Sequence, residues 1–183
     1  MQPANKHKIY ILQCAHNITM IVKDASVLIH LAKISVLEKS CDYFRKVIIP
    51  KLVYEEIIKG KEKGYEDTNI IDNLIKIKKI IIKEIKEEKL IKKANEFNIQ
   101  GGEAEALALY WQEEAHYLAT DDDNLRKRQT VLNIAIIGTP SIIINLYKKQ
   151  QITKEKYLSA IKELSKIGWF SNQVLDKMKM EER

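Results

Sequence analysis

Short apolar runs alternate with helical patterns along this chain, and this alternation limits the fold more than any other feature. Apolar runs predict five strands, at 18–23, 46–49, 79–83, 117–120 and 134–137. Between and after them, helical spacing or capping signals predict helices at 26–32, 51–59, 70–77, 87–97, 103–114, 123–130, 139–149, from 153 onward and at 172–180. Because strands separated by helices are joined by crossovers, the pattern predicts a parallel sheet with helices on both faces.

Proline, glycine and capping residues set the expected ends of several helices. Pro50 suits the first turn of the helix after the second strand, and Gly60 is expected to end that helix. Thr139 is expected to cap a later helix, with Pro140 at its first position. The pair Gly101-Gly102 is expected to break the chain before the helix at 103–114.

Composition places the chain among globular proteins. It has 183 residues, 45% hydrophobic and 31% charged, which suits one domain with a sizeable core. Its net charge of +6 hints at a polyanionic partner. Cys14 and Cys41 have neither metal-ligand spacing nor a disulfide pattern, so we expect a reduced, cytoplasmic setting. No apolar stretch is long enough to predict a membrane span, and Met20 suggests that residues 1–19 are an N-terminal extension to a single domain at 20–183.

Acidic residues follow two of the predicted strands. Asp24 follows the first, and Asp121, Asp122 and Asp123 follow the fourth. Ligands of open α/β sheets bind beyond the carboxyl ends of strands, so both positions are candidates for a site. Three consecutive aspartates repel one another unless they are solvated or bind a cation. The alternative is that these aspartates cap the helices that follow, and for Asp24 the two interpretations weigh equally.

Further candidate acids lie on two helices. Glu56 follows Pro50 by six residues, and Glu55 beside it points about 100° away, so only one of them should face a pocket. Glu103 and Glu105 lie at a helix start, where the helix dipole alone stabilises a carboxylate. They point to opposite sides of the helix, and the sequence does not choose between them.

Basic residues follow the aspartates directly. Arg126, Lys127 and Arg128 could hold the phosphates that flank a metal-bound phosphodiester, and Thr120 could orient a carboxylate or a water. An aspartate-rich cap on a basic helix is the structural alternative. Three aromatic residues outside this segment, Tyr110, Trp111 and Trp169, are interpreted as core residues rather than base-stacking surfaces.

Taken in order, these phrases resemble a PIN domain over residues 21 to about 178. The match consists of Asp24 after the first strand, V-x-x-E at 53–56, G-E-A-E at 102–105 and T-x-D at 120–122. The C-terminal phrase K-E-L-S-K-I-G-W-F-S-N-Q-V-L is similar to a prokaryotic PIN subgroup with a G-E-x-E-A helix. That subgroup is similar to the toxin component of VapBC toxin–antitoxin pairs.

The resemblance implies a three-layer α/β/α fold around a central parallel sheet and a Mg²⁺- or Mn²⁺-dependent endoribonuclease. It implies catalytic roles for Asp24, Glu56, Glu103, Glu105, Thr120 and Asp122, and cation ligands among Asp24, Glu105, Asp121, Asp122 and Asp123. RNA as substrate, a cognate antitoxin and a homodimer are the partners that it implies.

Two alternatives stay open. Relatives often carry a second aspartate two residues after T-x-D, where this chain has Asn124, so the chain could be a catalytically degenerate nucleic-acid- or partner-binding module. A response-regulator-like receiver also gathers acids at a sheet edge, but it requires a lysine after the last strand, where this chain has Gly138-Thr139-Pro140.

Overall fold

A computed structural model describes residues Thr19–Glu182, whose centre is a five-stranded sheet. The strands are β1 (Met20–Lys23), β2 (Lys46–Pro50), β3 (Ile80–Lys83), β4 (Tyr117–Ala119) and β5 (Ile136–Ile137). They lie in the order β3-β2-β1-β4-β5, and every neighbouring pair is parallel. The five predicted strands and their parallel arrangement are therefore confirmed.

Helices connect the strands and cover both faces of the sheet. Over the described residues they are α1 (Ala25–Lys33), α2 (Leu37–Phe44), α3 (Lys51–Glu62), α4 (Glu66–Lys76), α5 (Glu88–Asn95), α6 (Gly101–Gln112), α7 (Asp123–Leu132), α8 (Thr139–Lys148), α9 (Lys154–Ile167) and α10 (Asn172–Met180). This is the three-layer α/β/α fold around a parallel sheet that the sequence predicted.

Successive strand residues point to opposite faces and so enter two separate apolar cores. Ile21 of β1 packs into the larger core, with residues of α1, α2, α3, α4, α8, α9 and α10. Val22, the next residue, packs into the smaller core with residues of α6 and α7. β2 alternates in the same way, with Val47 and Ile49 on one face and Ile48 on the other. A strand buried on both faces reads as a continuous apolar run, as observed in the sequence.

The strand order excludes the receiver alternative. A receiver has the order 2-1-3-4-5, in which the first strand lies between the second and the third. Here β1 lies between β2 and β4.

One helix was not predicted, and the ends of several others differ from the prediction: α4 begins at Glu66 rather than at 70, and α6 already includes Gly101 and Gly102, where a break was expected. In α2, Leu37, Cys41 and Phe44 follow helical spacing and are buried, but the segment was assigned to no element. α3 continues past Gly60 to Glu62, so the predicted stop was wrong. A Cβ on Gly60 would lie 3.1 Å from the methyl group of Thr68, so this glycine serves close packing of α4 rather than helix termination.

Another misplaced end is the start of α8. Gly138 occupies the N-cap position and Thr139 is already helical, so the predicted cap at Thr139 was wrong. The side chain of Thr139 binds a neighbouring loop instead, as described below.

The expected extension at 1–19 lies outside the described residues, apart from Thr19. Between Thr19 and Glu182, no helix combines the length and the apolar character that crossing a membrane requires.

Candidate active site at the carboxyl edge of the sheet

The carboxyl ends of β1 and β4 are adjacent at the centre of the sheet. Lys23 at the end of β1 pairs with Ala119 at the end of β4, and the N–H of Asp24 donates to the carbonyl of Ala119 at 3.0 Å. From β1 the chain crosses to β2 on one side, and from β4 it crosses to β5 on the other. Connections that leave in opposite directions open a crevice at such a point, where ligands of α/β sheets bind.

Asp24 is both the cap of α1 and a component of this crevice. Its Oδ1 accepts hydrogen bonds from the N–H of Val27 at 2.9 Å and from the hydroxyl of Ser26 at 2.8 Å. The residue is only 3% exposed. Burial raises the pKa of Asp24 to about 6, although hydrogen bonds from Thr120, Val27 and Ser26 oppose the rise. The two interpretations that the sequence left open are therefore compatible.

Thr120 links the two aspartates that follow adjacent strands. Its side chain is fully buried and hydrogen-bonds the carboxylate of Asp24. Its Oγ1 also accepts from the N–H of Asp122 at 3.1 Å. Asp122 in turn caps α7 by accepting from the N–H of Leu125 at 2.7 Å. Both carboxylates are thereby held at helix N-termini, where the helix dipole stabilises negative charge.

Glu103 faces these aspartates from α6. Its pKa is raised to about 7, first by burial and then by the negative charges of Asp122, Asp24 and Glu56. Repulsion from these three residues shows that all four carboxylates share one region. We call Asp24, Glu56, Glu103 and Asp122 the acid cluster.

Glu56 enters the acid cluster from α3 and is its most exposed member. Its carboxylate accepts a hydrogen bond from the N–H of Gly102, and a Cβ on Gly102 would lie 2.6 Å from Glu56 Oε1. The absence of a side chain at Gly102 therefore lets the carboxylate reach the start of α6. Burial against this helix raises the pKa of Glu56, and the nearby charge of Glu105 adds to the effect.

Glu105 has a different environment from Glu103. Its Oε2 accepts from the N–H of Leu52 at 2.9 Å, in the first turn of α3. This bond satisfies one of the free N–H groups at that helix start. Glu103 is thus the acid of α6 that joins Asp24 and Asp122, whereas Glu105 ties α6 to α3.

Asp121 and Asp123 also differ from Asp122. Asp121 is buried, and its two oxygens accept from Thr139 N–H at 2.8 Å, Thr139 Oγ1 at 2.5 Å and His30 Nδ1 at 2.8 Å. The carboxylate therefore joins the loop after β4 to α1 and α8, and these partners leave it little capacity for a cation. Asp123 is exposed at the first position of α7.

The three basic residues of α7 are not equivalent. A Cβ on Gly138 would lie 3.3 Å from Arg126 Nη1 and 3.0 Å from Asp121 Oδ1, so the Arg126 side chain reaches the carboxyl edge beside the loop after β4. Lys127 is exposed. Arg128 donates from Nη1 to the carbonyl of Asn124 at 3.2 Å.

A buried lysine adjoins the site and was not noticed in the sequence. Lys23 precedes Asp24 and is fully buried, and its Nζ donates to Ser40 Oγ of α2 at 2.6 Å. Burial lowers the pKa of Lys23. The lysine is therefore directed into the larger core, and the only sequence signal was a charge in an otherwise apolar strand.

The chemistry of the acid cluster fits a hard divalent cation, because its donors are carboxylate oxygens whose mutual repulsion a cation would relieve. Within Thr19–Glu182, no group of three or more His, Cys, Asp or Glu side chains is arranged so that it could hold a metal ion. Magnesium commonly keeps several waters and takes only one or two carboxylates directly, so it does not require such a group.

A family model described as a PIN domain matches residues 20–181, nearly the whole chain. The chain belongs to the PIN-domain family. Searches of curated proteins and of solved structures give no significant match. PIN domains are generally nucleases, so membership supports a nuclease-like module that binds nucleic acid.

Proposed function

We propose that this PIN domain is an endoribonuclease that requires Mg²⁺ or Mn²⁺ and hydrolyses RNA phosphodiester bonds. The observation that carries the proposal is the acid cluster at the point where β1 and β4 end side by side. Four carboxylates from four separate segments of the chain lie in that region, and burial, followed by repulsion from the other three, raises the pKa of Glu103 to about 7. Such a cluster is unfavourable without a cation, and a cation-binding crevice at a sheet switch point suits a nuclease.

Each acid has a proposed role. Asp24, Glu103 and Asp122 would hold the cation, and Glu56 would complete the site directly or through water. A bound divalent cation supplies Lewis-acid stabilisation of charge at the scissile phosphate and activates water for attack. Thr120 connects Asp24 to Asp122, because its hydroxyl hydrogen-bonds the carboxylate of Asp24 and accepts from the backbone N–H of Asp122.

Substrate binding would use the basic side of the crevice. Arg126 reaches the carboxyl edge, where it can neutralise a phosphate next to the scissile one, and Lys127 and Arg128 extend the positive surface along α7. Single-stranded or loop RNA is the proposed substrate class, since its backbone and bases are open to a protein crevice.

Metal-titrated cleavage of a mixed structured RNA tests the proposal. Asp122→Asn is the variant to compare with the wild type, because asparagine caps a helix as well as aspartate does. Asp123→Asn is the matched control, since Asp123 is the exposed neighbour outside the acid cluster. Cutting that depends on Mn²⁺ or Mg²⁺ and is lost only in Asp122→Asn is the expected result. Equal cutting by all three proteins would refute the site.

The second candidate is a catalytically degenerate nucleic-acid- or partner-binding module. Asn124 favours it, because an exposed amide occupies the position where an additional acid would help to hold a second cation. This candidate predicts RNA binding without metal-dependent cutting, so the same titration separates the two functions.

We further propose that the protein is a VapC-like cytoplasmic toxin that forms a homodimer and is neutralised by a cognate antitoxin protein. The support is the resemblance of the G-E-A-E-A segment at 102–106 and of the C-terminal phrase to that subgroup. Expression of the protein alone should arrest growth, and co-expression with the product of a small adjacent gene should relieve that arrest and yield a stable complex. Growth arrest that persists, with no complex, would refute the toxin–antitoxin assignment.

A further inference from the structure

We propose that Trp169 is a stacking platform for a nucleobase of single-stranded RNA whose backbone passes the acid cluster. The identity of the ligand as RNA rests on the proposed function. The interpretation of Trp169 as a core residue was wrong, because 62% of this residue is exposed. Tyr110 and Trp111, in contrast, are half-buried and pack against the smaller core as expected.

The connection between α9 and α10 holds Trp169 in place. Gly168 ends α9 in the left-handed conformation, at φ +73°, and Ser171 caps α10 through its side chain. Between them, Phe170 packs against the larger core and meets the ring of His30 edge-on at a centroid distance of 5.2 Å. Trp169 is therefore presented on a short connection that is anchored on both sides. A platform fixed in this way loses little conformational entropy when a base stacks on it.

Two successive contacts link the exposed ring of Trp169 to the loop that carries Asp122. Its ring lies 5.9 Å from that of His30, and His30 Nδ1 hydrogen-bonds Asp121, the residue before Asp122. Single exposed apolar side chains are common on protein surfaces and need no function. Trp169 differs from such isolated side chains because it is exposed and its ring also contacts that of His30, which binds the loop after β4.

Arg126 supplies a positive charge beside this series of contacts, and such a charge suits a nucleic-acid strand. Asp121 binds His30 through Oδ2, and its Oδ1 lies against Gly138, where Arg126 also reaches. A strand cut at the acid cluster could thus place one phosphate at Arg126 and the base of a flanking nucleotide on Trp169. Stacking on an aromatic ring contributes to binding whichever base is present, so the platform would add affinity with little sequence preference.

The test uses Trp169 as its own reporter. The chain contains two tryptophans, so Trp111→Phe leaves Trp169 as the only fluorophore of this type. Adding Asp122→Asn keeps the RNA intact, and the probes are an oligouridylate and an abasic oligoribonucleotide of the same length. We expect the oligouridylate to quench the fluorescence and the abasic strand to leave it unchanged.

Kinetic variants complete the test in the otherwise wild-type protein. Trp169→Ala should weaken RNA binding and raise KM by about 5- to 100-fold at unchanged kcat, and Trp169→Phe should restore most of the affinity. Tyr65→Ala is the control, since Tyr65 is an aromatic residue of similar exposure, 57%, at the start of α4.

The outcomes separate this proposal from the proposed function. Quenching by the oligouridylate without metal-dependent cutting by the wild type supports the platform and refutes the nuclease. Metal-dependent cutting with an unchanged KM for Trp169→Ala refutes the platform alone, and absence of RNA binding by the wild type refutes both. A Trp169→Ala variant that only lowers the oligomeric state, with RNA binding intact, would make Trp169 a protein interface and overturn the proposal.

Discussion

Asp24→Asn is expected to stabilise the metal-free protein at neutral pH while it removes cleavage. Burial raises the pKa of Asp24 from its ordinary value of 3.8 to about 6. A raised carboxyl pKa means that the folded state binds the proton more tightly than the unfolded state does. The free energy of unfolding contributed by this group therefore falls as pH rises from about 4 to about 6, and it stays low above that range.

The size of the effect follows from the shift. A change of about two pKa units corresponds to about 3 kcal/mol of destabilisation in the ionised, metal-free state. Asparagine removes the charge, and its Oδ1 can keep both hydrogen bonds from Val27 and Ser26. The hydroxyl of Thr120 loses its carboxylate partner, at a cost of about 1 kcal/mol. We therefore expect a net gain of about 2 kcal/mol at pH 7.5, or an increase of about 4–8 °C in Tm.

Thermal unfolding with EDTA from pH 4 to pH 8 measures this directly. Wild-type Tm should fall between pH 4 and pH 7, whereas Asp24→Asn should show a smaller fall and exceed the wild type at neutral pH. Added Mn²⁺ should raise the Tm of the wild type much more than that of the variant, since bound ligand stabilises only the state that binds it. Asp176→Asn is the control, since Asp176 is an exposed aspartate on α10. An Asp24→Asn variant less stable than the wild type at both pH 4 and pH 7.5 would refute the reasoning.

Three further substitutions test individual contacts of the fold and the site. Gly102→Ala should leave Tm unchanged or slightly higher, because alanine favours the helix. Its Cβ would displace the Glu56 carboxylate and so reduce metal affinity and cleavage several-fold. Calorimetry with Mn²⁺ and the cleavage assay measure these effects, and unchanged metal affinity would exclude Glu56 from the site. Glu105→Gln should retain most of the cleavage and lower the free energy of unfolding by about 1 kcal/mol or less, since the hydrogen bond from Leu52 N–H then has a neutral acceptor. Loss of cleavage in a stable variant would instead make Glu105 a member of the site. Asp72→Asn should lower the free energy of unfolding in urea by about 1 kcal/mol, because the carboxylate accepts from two lysines that hold its pKa below the usual range. The difference between the two proteins should vanish as pH falls through that pKa. A difference that persists at low pH would assign the effect to packing.

The order of the elements could be read from the sequence because each element is a local pattern. β1 and β2 are continuous apolar runs, since both of their faces are buried, and in α6 Ala104, Leu107 and Ala108 lie at helical spacing. α2 was missed although Leu37, Cys41 and Phe44 have that same spacing. The helix is only eight residues long and no side chain caps its first turn, so no capping signal marked where it begins.

The acids of the site were all named from the sequence, but their different environments could not be. Glu103 and Glu105 lie two positions apart on one helix, and either of them fits the family motif. Only the position of α6 against α3 and the sheet decides that Glu103 meets Asp24 and Asp122, while Glu105 meets Leu52 N–H. The same holds for Asp121, whose partners His30 and Thr139 lie far from it in sequence.

The sequence by itself determined the parallel α/β architecture, the acids that end its strands, and the family. These properties depend on local periodicity, on capping residues and on the order of the motifs, all of which can be recognised without knowing how the chain packs. The tertiary structure decided which carboxylates repel one another, which are already satisfied by N–H and hydroxyl donors, and that Trp169 is exposed near the site. These properties depend on contacts between residues distant in the chain, because burial and electrostatic interaction are set by distances in space.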